Sequence, residues 1–109
     1  MATVPVDDAG FEDAVLKAGK PVLVEFFEDW CGPCKQMDRA LEQISEELAD
    51  DLIVAKLDTG ESVESPTRYG VLGIPTLMLF RDGQMVSMKV GPMPKFKILE
   101  WLEGARAKG

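Results

Sequence analysis

At 109 residues, 46% hydrophobic and 28% charged, the chain has the size and composition of one globular domain, residues 1–109, with room for a single core. No apolar stretch approaches the ~18 residues that a membrane span requires. The net charge of −7 argues against nucleic acid or an anionic membrane as partner, because phosphate recognition needs clustered Lys and Arg.

The N-terminus, MATVPVDD, has neither the basic nor the apolar region of a secretory leader, and nothing near the C-terminus suggests lipidation. A reducing cytoplasm is therefore the expected compartment. Thr3–Val6 reads as a short first strand. Asp7 and Asp8 then offer caps for a helix to about Ala18, ended by Gly19, Lys20 and Pro21. VLVEFF (22–27) is nearly continuous in apolar, β-branched and aromatic residues, the pattern of a strand covered on both faces. Cys34, Met37, Leu41, Ile44 and Leu48 recur every three or four residues, which predicts a long helix with one buried face. Its second half, Glu42 to Asp51, carries five acids and no base and reads as solvated.

LIVAKL (52–57) is a further buried strand, followed by a short helix ending near Tyr69 and Gly70. TLMLF (76–80) and MVSMKV (85–90) flank Asp82 and Gly83, a hairpin signal that makes this pair antiparallel. A last helix begins at Pro94 as its first helical residue and turns Ile98, Trp101, Leu102 and Ala105 inward. This alternation implies an α/β fold, a mixed sheet with helices on both faces. Functional residues belong beyond the C-terminal ends of its parallel strands.

The only two cysteines lie there, as CGPC at 31–34. In a first helical turn their Cα atoms fall roughly 5 Å apart, within disulfide range. The loop such a bond closes holds only Gly32 and Pro33, so it constrains the unfolded chain little and makes a poor staple. Reactivity explains the pair better. Unbonded N–H groups and the helix dipole stabilise a thiolate at Cys31, the nucleophile; Cys34, on the inner stripe, is the more buried resolving thiol. Two cysteines without histidine do not make up the usual four-ligand zinc site.

Glu25 interrupts the apolar strand. Alternation puts it on the face of Leu23 and Phe27, opposite Phe26. If it points inward its pKa rises, and it can serve, directly or through a water, as proton acceptor for Cys34. Lys56, also in mid-strand, is its candidate partner. A half-exposed strand with the two residues as a surface ion pair is the competing reading.

Together these residues resemble the thioredoxin family. WCGPCK (30–35), VAKLD (54–58), GIPT (73–76), LFRDG (79–83) and KVG (89–91) occur in order across roughly residues 3–103. The resemblance implies the thioredoxin fold, a central mixed five-stranded sheet flanked by four helices, and dithiol–disulfide exchange with Cys31 attacking and Cys34 resolving. It implies a cis peptide before Pro75 and an Ile74 backbone that pairs with an extended substrate segment. Trp30, Gly73, Ile74, Pro75 and Gly91 become a flat apolar contact surface around Cys31. Gly32 and Pro33 match the reductase members.

No cofactor is expected, since no nucleotide or flavin motif occurs. Electrons must then come from a thioredoxin reductase and pass to disulfide-containing client proteins, with the chain acting as a monomer. Several positions depart from the family. Glu25 replaces the usual Asp, Phe27 a tryptophan and Arg39 a helix proline; TGESVES (59–65) is atypical, and Pro92 follows Gly91. These leave two alternatives: a divergent relative serving one client or working as oxidant or isomerase, and a docking or chaperone subunit whose thiols are incidental.

Overall fold

The computed structural model describes residues 3–107. Five strands, β1 (Val4–Val6), β2 (Val22–Phe27), β3 (Ile53–Asp58), β4 (Thr76–Arg81) and β5 (Gln84–Val90), form one sheet in the order β1-β3-β2-β4-β5. β1, β3 and β2 run parallel, while β4 is antiparallel to both β2 and β5. The four helices are α1 (Glu12–Leu16), α2 (Gly32–Glu47), α3 (Glu64–Arg68) and α4 (Lys95–Ala107).

The apolar run 22–27 becomes the central strand because both of its faces find a layer to bury against. Leu23 packs with Met37, Leu41 and Ile44 of α2 and with Ile98 and Leu102 of α4. Val22, Val24 and Phe26 pack on the opposite side with Phe11 and Val15, around α1. The helices thus lie on both faces, as the alternation implies. β4 and β5 meet at Asp82 and Gly83, whose φ values of 54° and 78° match the primed hairpin turn that this dipeptide favours.

Several local expectations differ from the structure. The first helix is a single wide turn, closed by a bond from the Lys17 N–H to the Glu12 carbonyl, five residues back. Asp7 and Asp8 do not cap it in the expected way. Asp7 accepts from the Gly10 N–H, and Asp8 reaches across the fold to accept from the backbone N–H groups of Glu64 and Ser65 at 2.9 and 2.8 Å. The Asp8 N–H in turn donates to the Ser62 hydroxyl. TGESVES, atypical as sequence, is therefore the segment that fastens β1 to α3.

Pro94 stands just before α4, its carbonyl accepting the Ile98 N–H, rather than as the first helical residue. Ile98, Leu102 and Ala105 are buried, and Trp101 is half-buried with its indole N–H on the Ser87 hydroxyl. The acids from Glu42 to Asp51 are not simply solvated. Glu42 accepts from Thr3, Glu47 pairs with Lys95, and Asp51 faces Arg106.

Burial works against ionisation of Asp8, but the N–H groups of Glu64 and Ser65 outweigh it and hold its carboxyl below 3.8. A depressed carboxyl stabilises the fold above its unfolded pKa and loses that contribution as pH falls through the folded one. Asp8→Ala should cost about 1 kcal/mol in urea denaturation at neutral pH. The difference from wild type should shrink as pH drops below ~4.

Candidate active site

The chain leaves β2 at Phe27 and enters α2 at Gly32, so the intervening residues lie at the C-terminal end of a central parallel strand. Cys31 is the N-cap of α2, with extended backbone, and its carbonyl accepts the first helical bond from Lys35. The Cys34 N–H points at the Cys31 sulfur at 3.1 Å, so an unbonded donor of the first turn is aimed at that atom. Pro33 sits in the same turn, where a missing N–H costs nothing. Gly32 has open space where a side chain would be, so sterics do not demand glycine there.

Cys31 and Cys34 are joined in a disulfide with their Cα atoms 5.2 Å apart, the spacing the helical turn predicts. In this state the two differ little in exposure, at 2% and 1%. Trp30 beside them is 73% exposed.

The second loop arrives at the same end of the sheet because Thr76 pairs in register with Phe26 on one side and Val90 on the other. The peptide between Ile74 and Pro75 is cis. The Gly91 N–H donates to the Pro75 carbonyl at 2.8 Å, and the Thr76 hydroxyl to the Gly73 carbonyl at 2.6 Å. Gly91 has φ 99°, a conformation that favours glycine. Trp30, Gly73 and Ile74 share the lining of one surface pocket of about 230 Å³ with Glu28, Thr59 and Leu72. Leu72 is almost wholly exposed on its rim, a contact candidate that no periodicity singles out.

Glu25 is completely buried, and neither carboxyl oxygen has a hydrogen-bond partner. Burial disfavours its charged form and, despite the opposing charge of Lys56 and with a smaller push from Asp38, raises its pKa to about 7. This disposes of the surface ion-pair reading. Lys56, in register beside Glu25 on β3, keeps its ammonium 3.8 Å from the carboxyl. Its short contact is with another residue, Asp38 of α2, at 2.8 Å, and the ammonium also lies 4.7 Å from the centre of the Phe27 ring. Sequence reading missed Asp38. The available signal was its position four residues after Cys34, on the same side of the helix, together with a mid-strand lysine in need of an acid.

Comparison with known proteins agrees with this geometry. The family model described as Thioredoxin matches residues 2–104. A thioredoxin of Rhodospirillum rubrum is 49% identical over 92% of this chain and 96% of its own length. One from Pseudomonas aeruginosa is 45% identical over 92% and 93%, and one from Mycobacterium bovis 48% over 93% and 87%. With the cysteine pair bonded at the start of α2, the chain belongs to the thioredoxin family and is a thiol–disulfide oxidoreductase that reduces protein disulfides.

Proposed function

We propose that the chain works as a monomeric, single-domain, cytoplasmic dithiol reductase of client proteins, recycled by a thioredoxin reductase, with Cys31 as nucleophile and Cys34 as resolving thiol. The observation that carries the assignment of roles is the Cys34 N–H directed at the Cys31 sulfur from the first turn of α2. A donor so placed favours the thiolate over the thiol at Cys31 and not at Cys34. No helix among the described residues is long and apolar enough to cross a membrane.

The reaction proceeds in two exchanges. The Cys31 thiolate attacks one sulfur of the client disulfide, forming a mixed disulfide and expelling the other client sulfur as a thiolate. Cys34 then loses its proton to the Glu25 carboxylate, directly or through a water, and attacks the Cys31 sulfur. The second client thiolate leaves, and the Cys31–Cys34 disulfide forms. Two electrons have passed to the client, whose thiolates take up protons. During this sequence Ile74 offers its backbone to an extended client segment. Trp30, Gly73, Pro75 and Gly91 supply the apolar surface around it, with Gly32 and Pro33 shaping the cysteine turn. Lys56 supports the ionised form of Glu25 by its charge. The reductase restores the dithiol by supplying two electrons and two protons.

Serine variants separate the two cysteines. Cys31→Ser should form no mixed disulfide with a client. Cys34→Ser should form one and fail to release it, giving a conjugate visible by non-reducing electrophoresis. Conjugates formed by Cys31→Ser alone would reverse the assignment.

Glu25 must be ionised to accept a proton, so release of the mixed disulfide in wild type should accelerate as pH rises through about 7. Glu25→Gln should lose that inflection and be slower by roughly 10²-fold above it. An unchanged rate across pH removes Glu25 from the mechanism.

The same carboxyl makes the disulfide form less stable at high pH. Between 4.5 and about 7 the folded state holds a proton that the unfolded state has released, so stability falls as pH rises through that window. Relative to Glu25→Gln, wild type should lose about 3 kcal/mol across it in denaturant titrations.

A further inference from the structure

Lys56 forms a long ion pair with the buried carboxyl but no hydrogen bond to it. Its ammonium donates to Asp38 Oδ1 at 2.8 Å and stays 3.8 Å from Glu25 Oε1. A hydrogen bond to Glu25 would need it about 1 Å closer. Three groups share this cation: the Asp38 carboxylate, the Phe27 ring 4.7 Å below it, and Glu25. Asp38 and Lys56 line a solvent-accessible cleft with Phe27, Asp58 and Glu42, from which Glu25 itself is shut off. The lysine therefore hangs on the wet side of the carboxyl, 22% exposed in its side chain, and its closest anchor is on the outside.

We propose that Asp38 is a positioning residue for the redox pair: it holds the Lys56 ammonium toward the cleft, leaving both Glu25 carboxyl oxygens unbonded and ready to take a proton. Asp38 acts through Lys56 and not on the sulfurs. It stands four residues beyond Cys34, one helical turn along α2, and so ties the helix that carries both thiols to the strand that carries the lysine. Among the described residues, the other neighbours of Glu25 supply no competing charge. β4 pairs Leu77 with it, and α4 brings Ile98 and Leu102 to the same face. On α2 the remaining inner residues are Cys34, Met37, Leu41 and Ile44, of which only Cys34 titrates, once reduced. Lys56 and Asp38 are the two charges felt at Glu25, with opposite effects.

The catalytic meaning of this arrangement rests on Glu25 being the proton acceptor, but the arrangement can be tested without turnover. In the disulfide form, the titration midpoint of the Glu25 carboxyl is followed by carbon-13 NMR in wild type, Asp38→Asn, Lys56→Met and the double variant. Asp38 has a half-exposed side chain, so Asp38→Asn should fold. Freed from its anchor, Lys56 can close on Glu25, and the midpoint in Asp38→Asn should fall by ~1 unit. In the Lys56→Met background the same substitution should produce a clearly smaller fall, and Asp38→Glu should stay near wild type.

No fall in Asp38→Asn overturns the inference. So does an equal fall in both backgrounds, which would mean that Asp38 acts by its own charge alone. The pH profile of mixed-disulfide release in Asp38→Asn is then read separately. If the Glu25 midpoint falls and the rate profile does not follow it, the positioning role of Asp38 stands and Glu25 is not the proton acceptor.

Discussion

A carboxyl group enclosed in the middle of the central strand, with no hydrogen-bond donor in reach, is the constraint around which the active site is organised. β2 lies between β3 and β4, and α2 and α4 close over the face on which Glu25 stands. Glu25 has no surface open to bulk solvent there, and neighbouring backbone groups are occupied by the sheet. The cost of ionisation lifts its pKa to about 7, where a carboxyl can both hold and release a proton. An isolated buried charge would cost more than a small domain can tolerate. The parallel register of β2 and β3, which sets Lys56 beside Glu25, keeps the ionised form accessible.

Helix α2 joins this buried group to the cysteine pair. Its inner stripe, Met37, Leu41 and Ile44, fixes the helix against the sheet and so fixes where its first turn ends up. That turn presents Cys31 at the N-cap, with a donor on its sulfur, beyond the C-terminal end of β2. One turn further along, Asp38 takes hold of Lys56. Two of the family departures acquire a physical context here. Phe27 supplies a ring beneath the lysine, and the longer Glu25 side chain still ends with both oxygens unbonded. The loop that we propose contacts the client is built separately, and the β4 register delivers it to the same end of the sheet.

Much of this was legible in the sequence, and the parts that were not share a cause. Strand 22–27, the stripe of α2, and the hairpin at Asp82 and Gly83 follow from periodicity and turn chemistry, which are properties of neighbours along the chain. The disulfide-compatible spacing of Cys31 and Cys34 is likewise local, since one helical turn sets it. Asp8 shows where local rules fail. As sequence it is a cap for the helix that follows; in the structure it caps backbone groups more than fifty residues away, because β1 runs alongside β3 and brings the two segments together.

The same division holds within the site. The sequence by itself determined that a reactive cysteine pair would sit at a helix start after a buried strand, and that one acid in that strand would need an explanation. Only the tertiary structure decided that Glu25 is enclosed and that Lys56 turns to Asp38 in preference to it. Burial and the choice of a charge partner depend on which elements pack against a strand, and in what register. Those are long-range properties, absent from the spacing of residues along the chain.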